Sequence, residues 1–126
     1  MSHTVLLLDD DSNVLEGLAR ALRKQPYQIV TATTGEEALA ILRADPLAFD
    51  LVVTDYSMPR VSGLEVAKEV ALVRPDLPVM VTSGHLSDEL RATMAQAGVR
   101  FLIEKPERME ALCALVRDAL RSTRRD

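Results

Sequence analysis

The sequence predicts an α/β fold built on a parallel sheet with helices on both faces. Three observations carry this. Short aliphatic runs alternate five times with amphipathic stretches of helix length. The first run, residues 5–8, is continuously aliphatic, as in a strand buried on both faces. No long linker, repeat or low-complexity segment breaks the alternation, and such alternation implies βαβ units.

The elements follow in order. After the run 5–8, Ser12 is placed as N-cap of a helix through about residue 24, with Val14, Leu15, Leu18, Ala19 and Leu22 on one stripe. Pro26 stops it. Residues 28–32 read as the second strand. Gly35 opens a helix to about residue 44, with Ala38, Leu39, Ile41 and Leu42 facing inward, and Pro46 ends it. Residues 51–54 form the third strand. Gly63 begins a helix to about residue 73, closed by Arg74-Pro75-Asp76. Residues 79–82 form the fourth strand. Ser87 or Asp88 caps a helix that ends at Gly98, a residue suited to a left-handed C-cap. Residues 100–103 form the fifth strand, and the last helix spans about 107 to 120. The expectation is one domain over 1–126, with an ordered core of about 4–121 and a tail from 122 to 126.

Composition narrows the function. Apolar residues make up 48% of the chain, enough for a core without disulfides, and the lone Cys113 cannot form an internal bridge. A reducing compartment follows as the expectation. No stretch approaches the roughly 20 apolar residues of a membrane span, and no signal peptide is read at the start. A net charge of −4 argues against direct nucleic-acid binding. The aromatic residues are Tyr27, Phe49, Tyr56 and Phe101, which weakens any case for stacking a flavin or a base. Met58, Met80, Met94 and Met109 read as core and interface fill, and Cys113 as a small buried apolar residue. Arg117, Arg121, Arg124 and Arg125 read as a solvated helix end.

The chemistry-bearing residues fall at strand ends. Asp9 and Asp10 follow the first strand, Asp55 the third, Ser83-Gly84 the fourth and Lys105 the fifth. Open parallel sheets bind ligands at the carboxyl ends of their strands. Clustered carboxylates repel one another unless a cation sits among them, and hard oxygen donors suit Mg²⁺ or Mn²⁺. An acidic cluster beside a hydroxyl and an ammonium therefore points to a divalent cation and a phosphoryl group. Asp11, the third acid of its run, reads as a first-turn helix acid.

These residues resemble the receiver domain of two-component response regulators. The resemblance rests on Asp9-Asp10, on Asp55-Tyr-Ser-Met-Pro-Arg-Val-Ser-Gly63 with its proline and glycine in place, on Ser83-Gly84 and on Lys105-Pro106. It covers essentially the whole chain. It implies a flavodoxin-like doubly wound (βα)5 sheet of order 2-1-3-4-5, and a bacterial, cytoplasmic phosphoprotein rather than an enzyme. Asp55 is then the phosphoacceptor, taking the phosphoryl group from a histidine kinase or a histidine phosphotransfer protein and assisting its own phosphorylation and dephosphorylation. Asp10 ligates Mg²⁺ (or Mn²⁺) directly, Asp9 through water, and Asp55 and the backbone carbonyl of Ser57 complete the set. Lys105 and Ser83, with Gly84, bind the phosphoryl group, and the bond before Pro106 is cis. Ser57 and His85 overhang the site and tune its lifetime.

Two positions depart from the family pattern. Leu102 stands where an aromatic switch residue is usual, and Glu107 where phenylalanine is frequent. The resemblance places the output on helix 4, strand 5 and helix 5, with Ala92, Ala95, Leu112 and Ala119 as candidate contacts for an unidentified partner. It also allows a weak homodimer through that surface. The chain reads either as a stand-alone receiver or as part of a larger protein such as a hybrid histidine kinase. The alternative within the fold is a phosphorylation-independent interaction module. A haloacid-dehalogenase-type phosphatase needs a second aspartate where Ser57 stands. A flavin carrier needs a hydroxyl-rich phosphate loop where three aspartates stand.

Overall fold

The computed structural model describes residues 3–105 and 108–122. Its order is β1 (His3–Leu8), α1 (Ser12–Leu22), β2 (Tyr27–Ala32), α2 (Gly35–Ala44), β3 (Leu51–Asp55), α3 (Gly63–Val73), β4 (Val79–Ser83), α4 (Asp88–Gln96), β5 (Phe101–Glu104) and α5 (Met109–Ser122), with a 3-10 turn at Pro46–Ala48. The five strands are parallel in the order β2-β1-β3-β4-β5, as expected.

Pleat alternation sorts the core into two layers. Val5 and Leu7 of β1, with Leu51, Val53 and Met80, pack against Leu15, Leu18, Leu22, Leu112, Val116 and Leu120 of α1 and α5. Leu6 and Leu8, with Val52, Val79 and Val81, pack on the other face against Ala38, Leu42, Val66, Val70 and Met94 of α2, α3 and α4. The central strands β1, β3 and β4 are buried on both faces, whereas the edge strands β2 and β5 are only partly covered.

The helix ends show how local chemistry overrode several boundaries. Asp11, not Ser12, is the N-cap of α1. Its Oδ1 accepts from the backbone N–H groups of Asn13 (3.0 Å) and Val14 (3.3 Å), satisfying donors that have no intrahelical partner. α1 ends at Leu22, two residues early, with Arg23 as its C-cap. Thr34 caps α2 through the Glu37 N–H, and Ser62 and Glu65 form a reciprocal capping box on α3. Ser87 caps α4, and Gly98 closes it at φ +84°. Leu112 and Ala119 are core residues of α5 and offer nothing to a partner, whereas Ala92 and Ala95 are exposed. Cys113 is half-buried rather than buried, and burial, then Glu110, pushes its thiol up. Arg124 and Arg125 lie outside the described residues.

Arg74 locks the amino-terminal rim of the sheet. Its Nη1 donates to the carbonyls of Phe49 (2.6 Å) and Pro46 (3.1 Å), and Nε and Nη2 meet Asp76 at 3.2 and 3.3 Å. One side chain thus ties the turn before β3 to the turn before β4. Replacing Arg74 with Ala leaves both carbonyls without their charged donor. The expected loss is about 2 kcal/mol, read as a lower urea midpoint at unchanged slope.

Candidate functional site

Because the strands are parallel, their carboxyl ends share one rim. Leu8 pairs with Thr54, Asp55 with Thr82, and Ser83 with Glu104. Asp9 and Asp10 leave β1 there, Asp55 ends β3, Ser83 ends β4, and Lys105 follows β5. The structure therefore brings together residues up to 96 positions apart in the chain, from Asp9 to Lys105.

Carboxylate oxygens of Asp9, Asp10 and Asp55 lie within 4.8 Å of one another. Lys105 Nζ stands 3.4 Å from Asp55 Oδ2 and 3.7 Å from Asp9 Oδ2. The Lys105 backbone N–H donates to Ser83 O at 2.7 Å, which anchors the lysine across the ends of β4 and β5. Asp9 is 8% exposed, while Asp10 is exposed. Burial raises the Asp9 carboxyl above its ordinary value. The Asp11 N–H at 2.9 Å and the Lys105 ammonium pull it down, and Asp55 and Asp10 push it up again. Three acids against one ammonium leave the rim negative. The donor set consists of hard oxygens, the kind that holds Mg²⁺.

Asp55 is positioned by backbone. Tyr56 N–H donates to Thr82 O at 2.8 Å, and Gly63 N–H donates to Tyr56 O at 2.9 Å, folding the β3–α3 loop back on its start. A Cβ on Gly63 would fall 2.6 Å from Asp55 O and 2.9 Å from Tyr56 Cα, so the close approach requires glycine. Gly84 differs, since a Cβ there would meet nothing within 4 Å. Ser83 is buried, and its Oγ donates to His85 O at 2.9 Å. His85 and Ser57 are exposed at the rim.

Leu102 is half-buried against the face covered by α2, α3 and α4, while Phe101 packs on the opposite face. The pleat thus prevents Phe101 from replacing the missing ring. Pro106 and Glu107 lie outside the described residues, so the expected cis bond does too. The sequence patterns missed Thr33, Thr34, Glu36 and Arg60, which line a cavity beside Asp10. No motif spacing joins them, because two separate loops bring them together.

The raised Asp9 carboxyl fixes a sign for stability. A folded-state pKa above the unfolded one adds stability at low pH, and that stability is lost as pH rises through the folded value. Without divalent cations, Asp9→Asn should therefore melt higher than the parent at pH 7. The gap should close as pH falls below the ordinary carboxyl value of 3.8. Melting curves in chelator across that range check it.

The family model "Response regulator receiver domain" matches residues 5–117. The response regulator MprA of Mycolicibacterium vanbaalenii is 37% identical over 122 residues, covering 97% of this chain and 52% of that protein. The transcriptional regulatory protein GlrR of Escherichia coli is 34% identical over 123 residues, covering 95% of this chain and 27% of that protein. The chain thus spans about half or less of these relatives. The non-phosphorylated receiver domain of HemR from Leptospira biflexa superposes with a TM-score of 0.89 at 27% identity, covering 98% of both chains. Among the described residues, no helix is long and apolar enough to cross a membrane. With the family match spanning most of its length and the acidic rim in place, the chain belongs to the response regulator receiver domains of two-component signalling.

Proposed function

We propose that the chain is a phosphorylation switch with Asp55 as phosphoacceptor. The observation that carries this is the Lys105 ammonium 3.4 Å from Asp55 Oδ2, inside a cluster of three carboxylates. An Asp55 carboxylate oxygen forms the new O–P bond. The P–N bond of a phosphohistidine on a histidine kinase or phosphotransfer protein breaks, and its electron pair stays on the imidazole nitrogen. Such transfer needs in-line positioning and charge neutralisation more than covalent help from the protein. Asp10, Asp55 and the Ser57 carbonyl would hold Mg²⁺ or Mn²⁺, with Asp9 through water. The bound ion supplies positive charge for the acids and the phosphoryl oxygens.

Phosphorylation adds a charge of roughly −1.5 to −2 at the rim. Lys105 then pairs with a phosphoryl oxygen. Ser83 reaches the phosphoryl group only by leaving His85 O, and that exchange shifts the segment leading into α4. Ser57 and His85, both exposed at the rim, control water access to the acyl phosphate. With Leu102 packed on the core, coupling to the α4–β5–α5 surface runs through backbone and packing rather than through a ring flip. An output protein, or a second copy in a weak dimer, reads that surface through residues such as Ala92 and Ala95.

Two measurements test this reading. Incubation with acetyl phosphate or phosphoramidate should add about 80 Da to the intact mass, one phosphoryl group. The gain should need Mg²⁺ and vanish in Asp55→Asn. No gain from either donor by folded protein overturns the reading in favour of a phosphorylation-independent interaction module. Mg²⁺ at about 100 times its dissociation constant should stabilise the protein by about 2.7 kcal/mol. Asp10→Asn should lose most of that gain in thermal melts.

A further inference from the structure

Arg60 stands at φ +66°, the one non-glycine residue at positive φ among the described residues. It centres a three-residue γ-turn closed by Val61 N–H donating to Pro59 O at 2.7 Å. Turns of this type with a positive central φ are rare and strained, and glycine would occupy the position without that cost. Packing holds the turn. A Cβ on Gly35 would lie 2.5 Å from Val61 Cβ, so the loop presses directly on the start of α2.

The arginine side chain returns little stability for this strain. Its Nη1 lies 3.6 Å from Glu36 Oε2, with the two side chains 80% and 49% exposed. Pairs this exposed contribute little. Strain that stability does not explain, beside a functional site, points to function. Arg60 is also well placed. With Asp10, Thr33, Thr34, Glu36 and Met58 it lines a cavity of about 300 Å³, and among the described residues it is the only cationic one in that lining. Asp10 belongs both to this cavity and to the carboxylate cluster around Asp55, so the two spaces adjoin.

We infer that Arg60 is a specificity-determining residue for the phosphodonor, favouring donors of greater net negative charge. The inference rests on Asp55 being the phosphoacceptor. Asp9, Asp10, Asp55 and Glu36 repel an anionic donor, and Lys105 and Arg60 are the cations set against them. Removing Arg60 raises that repulsion most for the most highly charged donor. Glu36 competes with the donor for the guanidinium and so restrains the preference.

The test compares two small donors. Acetyl phosphate is a dianion near neutral pH and leaves as acetate. Phosphoramidate carries a protonated nitrogen and a lower net charge, and leaves as ammonia. Intact-mass time courses over a range of each donor, with Mg²⁺, give a half-saturating concentration and a saturated rate. In Arg60→Gly the half-saturating acetyl phosphate concentration should rise about threefold relative to phosphoramidate, with the saturated rate unchanged. Arg60→Lys should keep most of the preference, and Glu36→Gln should strengthen it. The difference should fade near 1 M salt, where the Debye length is about 3 Å. Arg60→Gly should melt no lower than the parent, because glycine relieves the turn.

An equal change for both donors, a salt-independent change, or a lower melting temperature in Arg60→Gly would overturn the assignment. A parent protein that accepts phosphoryl from neither donor sinks the phosphoacceptor reading itself. A parent that accepts it with the same donor preference as Arg60→Gly sinks only the role of Arg60.

Discussion

The ammonium of Lys105 offsets the mutual repulsion of carboxylates that a parallel sheet forces onto one rim. It stands 3.4 Å from Asp55 and 3.7 Å from Asp9, and its own backbone N–H is fixed on Ser83 O at 2.7 Å. The lysine therefore joins the ends of β1, β3, β4 and β5 in one electrostatic unit. The balance is incomplete, since three acids face one ammonium there, and burial still holds the Asp9 carboxyl above its ordinary value. A rim left negative in this way favours a hard cation.

The scaffold beneath packs closely against the rim residues. Central strands buried on both faces hold β1 and β3, and therefore Asp9 and Asp55. Gly63 lets the β3–α3 loop double back against Asp55, and the Ser62–Glu65 capping box fixes where α3 begins. At the opposite rim, Arg74 ties the turns before β3 and β4 through backbone carbonyls. Strand β3 is thereby held at both ends.

The segment after β4 is held by a short-range bond. The buried Ser83 hydroxyl is satisfied locally, by His85 O, so its bond can be exchanged for another without stranding a core group. Leu102, half-buried opposite Val81 on the neighbouring strand, is an aliphatic side chain with no polar tip. Strain is concentrated elsewhere, at Arg60, on the loop that packs against the start of α2.

Hydrophobic spacing alone determined the number, type and order of the elements, because strand and helix periods are local properties of the chain. The strand-end positions of Asp9, Asp10, Asp55, Ser83 and Lys105 were legible for the same reason. Helix boundaries were less so: Asp11 took the cap assigned to Ser12, since competing polar side chains for one set of N–H groups are separated only by geometry. The assignment of Leu112 and Ala119 to a partner surface failed because a helical stripe does not say which side meets the sheet. Tertiary structure decided that. It also decided that Phe101 and Leu102 face opposite layers, and that two loops distant in sequence place Arg60, Glu36 and Thr34 around one cavity beside Asp10. Positive φ at Arg60 has no local signal, because an arginine enters that region only when long-range packing holds it there.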